Sequence, residues 1–308
     1  MSPRARYGAV LLIGFGGPER SEEIRPFLDR VTRGRPIPRE RYEEVVRHYE
    51  AIGGRSPFNE VTNRQAAALR AQLRRAAIGA PVVIGFRNAA PCLEDTLAQL
   101  ARDGVRRVLG FVLAAYRCEA SWDRYLQNIE AARARIGAAA PAVDYVGPWH
   151  AHPLFIEAAS ERVADALARL EPADRGRAQV IFSAHSIPVA MAAASAYVEE
   201  LTDSARLIAE RLGRPAWTLA FQSRSGSPRD PWLEPDVRDV LRGLRGRAAV
   251  VAPIGFLSDH VEVLYDLDVE AKAVAREVGV TMVRAATVGD HPRFIEMTAA
   301  LIAERLCA

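Results

Sequence analysis

The sequence predicts an α/β protein of two similar doubly wound, Rossmann-like lobes, each a four-stranded parallel sheet flanked by helices. Three observations carry this reading. Eight short, continuously apolar runs recur along the 308 residues, as strands covered by helices on both faces should read. Longer stretches of helical period separate them, and strand–helix alternation calls for right-handed parallel crossovers. The runs also split four and four about Gly147-Pro148-Trp149-His150-Ala151-His152-Pro153, which interrupts the pattern. The expected lobes are 1–150 and 151–308, with an insertion over about 19–78 in the first.

Taken in order, the first-half strands are 8–15 (GAVLLIGF), 81–86 (PVVIGF), 107–114 (RVLGFVLA) and 142–147 (AVDYVG). The second-half strands are 178–184 (AQVIFSA), 216–222 (AWTLAFQ), 247–255 (RAAVVAPIG) and 280–285 (VTMVRA). Helical periodicity fills 60–77, 92–103, 122–136, 154–169, 195–212, 261–277 and 291–306. The 65 residues between the first two strands carry further helices near 20–31 and 38–51. An insertion of that size usually forms a lid or a site wall.

Composition bounds the chemistry. Hydrophobic residues make up 49% and charged residues 26% of the chain, a globular balance. A formal charge of +3 with no basic block argues against a nucleic-acid partner. Lys272 is the only lysine among 41 basic residues, an arginine bias that base composition explains; it rules out a G-K-[ST] phosphate loop. Cys92, Cys118 and Cys307 are too few for a four-thiolate cluster and form no C-x-x-C pair, which fits a reducing compartment. No apolar run approaches the ~18 residues of a membrane span, and the opening apolar stretch is too short for a signal region. A soluble, cytoplasmic protein is expected.

In such sheets ligands bind at the carboxyl ends of the strands, so residues just after each strand matter most. Gly14-Phe15-Gly16-Gly17-Pro18-Glu19 begins like a dinucleotide fingerprint but puts a carboxylate where the third glycine belongs, so a nucleotide-dependent oxidoreductase has little support. His185, in Ser183-Ala184-His185-Ser186-Ile187-Pro188, sits at a sheet edge on a turn closed by proline. After the third strand of the second half come Glu262, Asp266 and Glu270, four apart in sequence. On a helix starting near Asp259 they form one row, which is self-repelling unless solvent screens it or something positive travels along it. The loop from Gln222 to Asp236 presents Trp232 and Leu233, a rigid apolar surface in need of a cover.

These segments together resemble the ferrochelatase family over nearly the whole chain, closest to its soluble bacterial, coproporphyrin III-dependent branch. The matching motifs are Phe15-Gly16-Gly17-Pro18, Val31-Thr32-Arg33-Gly34-Arg35, His48 through Pro57 (HYEAIGGRSP), Ser183 through Pro188, Gln222-Ser223-Arg224, Pro231-Trp232-Leu233 and Ser258-Asp259-His260-Val261-Glu262. The resemblance implies an enzyme of heme biosynthesis that inserts Fe2+ into coproporphyrin III, with protoporphyrin IX as the rival substrate. A non-catalytic tetrapyrrole- or metal-binding protein is the alternative of another class. It implies that His185 and Glu262 face each other across a cleft and serve metal binding or proton removal, their division of labour left open. It makes Asp266 and Glu270 a relay for metal ions or protons. Phe15, Arg33, Tyr49, Ser56 and Tyr125 fall where relatives contact the tetrapyrrole or its propionates, with Gln65, Arg87 and Trp232 as weaker candidates. Porphyrin and Fe2+ are the implied partners, followed by other enzymes of the pathway.

Some departures from the family pattern change what is expected. Phe15 cannot ligate iron as the tyrosine of some relatives does, and Thr32 replaces an arginine, thinning one propionate anchor. Trp122 stands where cluster-bearing relatives place a cysteine, so neither a [2Fe–2S] cluster nor another tightly bound cofactor is expected. No apolar C-terminal extension follows, which argues against membrane insertion. His260 is expected to be structural, His48 to face the cleft mouth, and His150, His152 and His291 to be solvated.

Overall fold

A computed structural model describes residues 7–33, 37–226 and 229–307. The quoted residues Gly34, Arg35, Ser227 and Pro228 lie outside these, as does the start of the chain. The first sheet contains β1 (Ala9–Gly14), β2 (Val82–Phe86), β3 (Arg107–Val112) and β4 (Ala142–Tyr145), in the order β2-β1-β3-β4. The second contains β5 (Gln179–His185), β6 (Trp217–Gln222), β7 (Ala248–Ala252) and β8 (Thr281–Arg284), in the order β6-β5-β7-β8. Every pairing is parallel. The chain reverses its direction of travel across each sheet, between β1 and β3 and again between β5 and β7. That reversal opens a crevice at the strands' carboxyl ends.

The longer helices follow the predicted periodicities, while the short ones over Pro172–Arg175, Val189–Ala193 and Val237–Arg242 fall outside them. They are α1 (Ile24–Val31), α2 (Arg39–Ala51), α3 (Phe58–Arg75), α4 (Leu93–Arg102), α5 (Arg124–Ile136), α6 (Pro153–Ala168) and the short α7 (Pro172–Arg175). In the second half come α8 (Val189–Ala193), α9 (Tyr197–Arg211), α10 (Val237–Arg242), α11 (Val261–Tyr265), α12 (Lys272–Glu277) and α13 (Pro292–Cys307). The periodic stretch 261–277 is not one α-helix: Asp266–Ala271, between α11 and α12, is a π segment with i→i+5 bonding. Apolar spacing alone does not announce such a turn.

One apolar core runs through both halves. Trp149 stacks on Phe111 at 5.5 Å and meets Phe155 and Phe294 at 5.1 and 5.6 Å, so α6 and α13 close over the first sheet. The insertion has a core of its own, in which Ile24, Phe27, Leu28, Val46 and Tyr49 pack together and touch Val261. This contact brings α1 and α2 over the start of α11. Among the described residues no helix is long and apolar enough to cross a membrane.

Two glycines hold the strand ends tightly. Gly16, at φ +83°, turns the chain after β1 where a Cβ would lie 2.6 Å from that of Ala89. Gly255 lets the turn after β7 lie against β5, since a Cβ there would sit 2.5 Å from that of Ala184, the neighbour of His185.

Candidate active site

His185 is the last residue of β5, in register with Gln222 of β6. Its carbonyl accepts from the Tyr197 hydroxyl at 2.9 Å, and Nδ1 donates to the Ser186 carbonyl. With Nδ1 occupied, Nε2 is left to face the cleft, and it lies 3.5 Å from Oε1 of Glu262. The carboxylate arrives from the other side of the β5/β7 reversal, on the first turn of α11. Its backbone is fixed twice: the Glu262 N–H donates to Nδ1 of His260 at 3.2 Å, and its carbonyl accepts from the Gln222 amide. The pair therefore straddles the crevice where this sheet order places a ligand.

Each member of the pair changes the other. Burial works against charge on both, but attraction outweighs it. The imidazole is raised above its ordinary value by Glu262, the Ser186 carbonyl and Asp266. The Glu262 carboxyl is held down to about 2 by His185, with help from His260 and Arg41. Each member thus favours the charged form of the other, and both are partly open to solvent.

The row from Glu262 passes from the α turn of α11 into the π segment. Positions four apart on an α-helix drift about 40° around the axis; the wider π turn rotates less per residue. Asp266 accepts from the Ser223 hydroxyl, and Ser223 holds a left-handed backbone at φ +62° to reach it, a strain typical of functional turns. Burial, reinforced by the charges of Glu262 and Glu270, pushes the Asp266 carboxyl up to about 7 against the opposing Ser223 bond. Glu270 ends the row in an ion pair with Arg238 at 3.2 Å.

The insertion supplies the opposite wall. Phe15 meets Phe27 edge-on at 6.2 Å, Phe27 meets Tyr49 at 6.1 Å, and Arg87 lies over the Phe15 ring at 5.7 Å. Tyr49 is buried, and both burial and the nearby Glu262 charge raise its phenol. Tyr125 is buried beside Arg87, burial again raising its hydroxyl. Ser56 is buried, its Oγ accepting from the Phe58 N–H at 3.3 Å. Arg33 is exposed just past α1. Trp232 is buried in a loop whose neighbours pair with 186–189: the Leu233 N–H donates to the Ile187 carbonyl at 3.0 Å and Val189 to Pro231 at 2.9 Å. Gln65 is tied elsewhere, its amide donating to the Gly289 carbonyl at 2.8 Å and bridging the two halves.

The histidine expectations need one correction. His260 is structural, as expected. His152 and His291, however, are not simply solvated: their Nδ1 atoms cap α6 and α13, accepting the Leu154 and Arg293 N–H groups at 3.2 and 3.3 Å. His150 lies 3.7 Å from the buried carboxylate of Glu200. A neutral imidazole two residues before a helical N–H is a ready acceptor, so position at an element boundary meant capping. His48 stacks on Tyr265 at 3.7 Å, tying α2 to α11. Sequence reasoning also passed over Tyr197, Arg238 and Arg284, none of which carries a local signal.

With this geometry in view, comparison with known proteins is informative. The ferrochelatase family model matches residues 7–306. A coproporphyrin III ferrochelatase of Nocardia farcinica is 45% identical over 97% of this chain and 88% of its own length. A ferrochelatase of Rhodopirellula baltica is 43% identical over 99% and 88%. Among solved structures, SirB from Bacillus subtilis with Fe3+ covers 97% of this chain and 95% of its own, with a TM-score of 0.60 at 14% identity, a likeness of fold. Motifs, sheet order and sequence identity over nearly the full length agree: the chain belongs to the ferrochelatase family.

Proposed function

We propose that this protein is a lyase that inserts Fe2+ into coproporphyrin III, with His185 and Glu262 at the reacting centre. The observation that carries the reading is the pair itself, 3.5 Å apart across the strand-end crevice of a chain 45% identical to a coproporphyrin III ferrochelatase.

Insertion exchanges two pyrrole N–H protons for one Fe2+. Imidazole nitrogen and carboxylate oxygen both suit ferrous iron; the carboxylate's charge strengthens the imidazole as a proton acceptor, while a charged imidazolium weakens the carboxylate as one. The depressed Glu262 carboxyl is ready to receive a cation, and His185 ligates only in its neutral form, against the raising pull of Glu262. Asp266, poised near neutrality, and Glu270 lead from the pair toward solvent and supply a route for ions or protons. Half-buried Phe15 offers flat apolar surface to a macrocycle, backed through Phe27 by the buried Tyr49, and Arg33 an exposed guanidinium to a propionate; Arg87 lies over the Phe15 ring, and Ser56, Tyr125 and Trp232 pack behind the walls. Iron is substrate in this reading, and no resident cofactor takes part.

The test replaces His185 or Glu262 by Ala. Insertion should be lost while porphyrin binding, followed by fluorescence, persists. Parental insertion rates in both variants refute the site, and binding without insertion in the parent protein supports a carrier instead. Parallel assays with coproporphyrin III and protoporphyrin IX decide the substrate; preference for the latter overturns that choice.

A further inference from the structure

The acidic row ends against a cation. Arg238, in the first turn of α10, sends Nη1 to Glu270 Oε2 at 3.2 Å while Nε and Nη2 fork onto Oδ1 and Oδ2 of Asp236, both at 2.9 Å. Around this contact lies a small, solvent-connected pocket with room for about 20 Å³, lined by Gln222, Ser223, Asp236, Arg238, Asp266 and Glu270 above two apolar residues. Three carboxylates face it. So does Gln222, a side chain only 4% exposed whose Oε1 has no hydrogen-bond partner, a costly state for a buried amide oxygen. The carboxylate, hydroxyl and amide oxygens gathered there suit a divalent cation, and among the described residues Arg238 is the one positive side chain lining the pocket.

We propose that Arg238 guards the outer end of the row, its guanidinium holding the place of positive charge that an incoming divalent ion takes over. Arrival of the ion then releases Arg238 from Glu270 onto Asp236 alone. Asp236 is built to keep it: the carboxylate fork remains, and the Arg238 backbone N–H caps through Oδ1 at 2.7 Å whatever the side chain does. A partly exposed ion pair is weak enough to be exchanged, and the guanidinium cannot leave by deprotonation. This inference rests on the insertion reading and adds a residue that sets how readily the row accepts metal.

The experiment compares Arg238→Gln, Arg238→Lys and Glu270→Gln in the full chain. Mn2+ binding to the porphyrin-free protein is measured by the loss of the free-ion paramagnetic resonance signal. Fe2+ insertion kinetics are measured separately. Arg238→Gln should tighten Mn2+ binding about threefold to tenfold and lower the metal KM by a similar factor, moving kcat and the porphyrin KM less. Arg238→Lys should fall between the parent and Gln, and Glu270→Gln should weaken Mn2+ binding. A purely structural role for Arg238 predicts weakening in both charge-removing variants. Unchanged or weaker Mn2+ binding in Arg238→Gln overturns the guard. Iron insertion surviving His185→Ala would instead overturn the reading beneath it, and the Mn2+ titration would still report on Arg238.

Discussion

Arg284, at the end of β8, is where the helix bearing Glu262 can be loosened without touching the reacting pair. Its Nε donates to Asp268 Oδ2 at 2.8 Å, Nη2 to Asp259 Oδ2 at 3.0 Å and Nη1 to Asp259 Oδ1 at 3.3 Å. Asp259 lies three residues before Glu262, and Asp268 lies in the π segment, so one guanidinium clamps both sides of the acidic row. Arg284→Met keeps the length and strands two carboxylates. Breaking a buried pair costs about 3–5 kcal/mol. Here the cost is at the low end, because Asp259 keeps the Thr287 hydroxyl at 3.0 Å and Asp268 keeps Lys272 at 2.7 Å. We expect a loss of about 3 kcal/mol, read as a melting temperature lower by roughly 6 °C. A drift of about 1 Å in a reacting group can cost on the order of a hundredfold in rate, so kcat for iron insertion should fall by one to two orders of magnitude. Arg284→Lys, which keeps charge but not the fork, should recover part of the stability and less of the rate. Parental kcat in Arg284→Met, with a melting temperature unmoved, would refute the clamp.

The His185–Glu262 pair should respond to pH on both sides. A divalent ion needs the imidazole neutral, so Co2+ affinity followed by absorption should rise with pH through a midpoint above the ordinary 6.5 of histidine, and Glu262→Gln should lower that midpoint; an affinity independent of pH between about 5 and 8 would contradict it. For folding, the raised imidazole contributes fully below its unfolded value and loses that contribution as pH rises through its folded one. The depressed carboxyl contributes above its unfolded value and loses it as pH falls toward about 2. Finally, Gly255→Ala must push the turn after β7 off Ala184, whose Cα would lie 2.6 Å from the new Cβ. Overpacking of this kind costs about 1–3 kcal/mol, and chemical denaturation should show it together with reduced insertion. A variant as stable and active as the parent would mean the strands can separate freely.

Sequence alone determined the elements and much of the site's inventory. Apolar runs placed all eight strands to within a few residues, because a buried parallel strand must be apolar on both faces. Helical period located the long helices for the same reason of burial. The position of His185 at a strand end and the four-residue spacing of Glu262, Asp266 and Glu270 were likewise legible, since both are local facts. Tertiary structure decided the rest. It alone brings Nε2 of His185 to Glu262, residues carried by different strand ends, and inserts the π turn within the acidic row. It places Arg238 and Arg284 against carboxylates remote in the chain, and turns boundary histidines into helix caps. Periodicity records which face of an element is buried; it does not record which partner a charged side chain meets there. That depends on how sheets and helices pack, and it sets the charges on which the proposed chemistry depends.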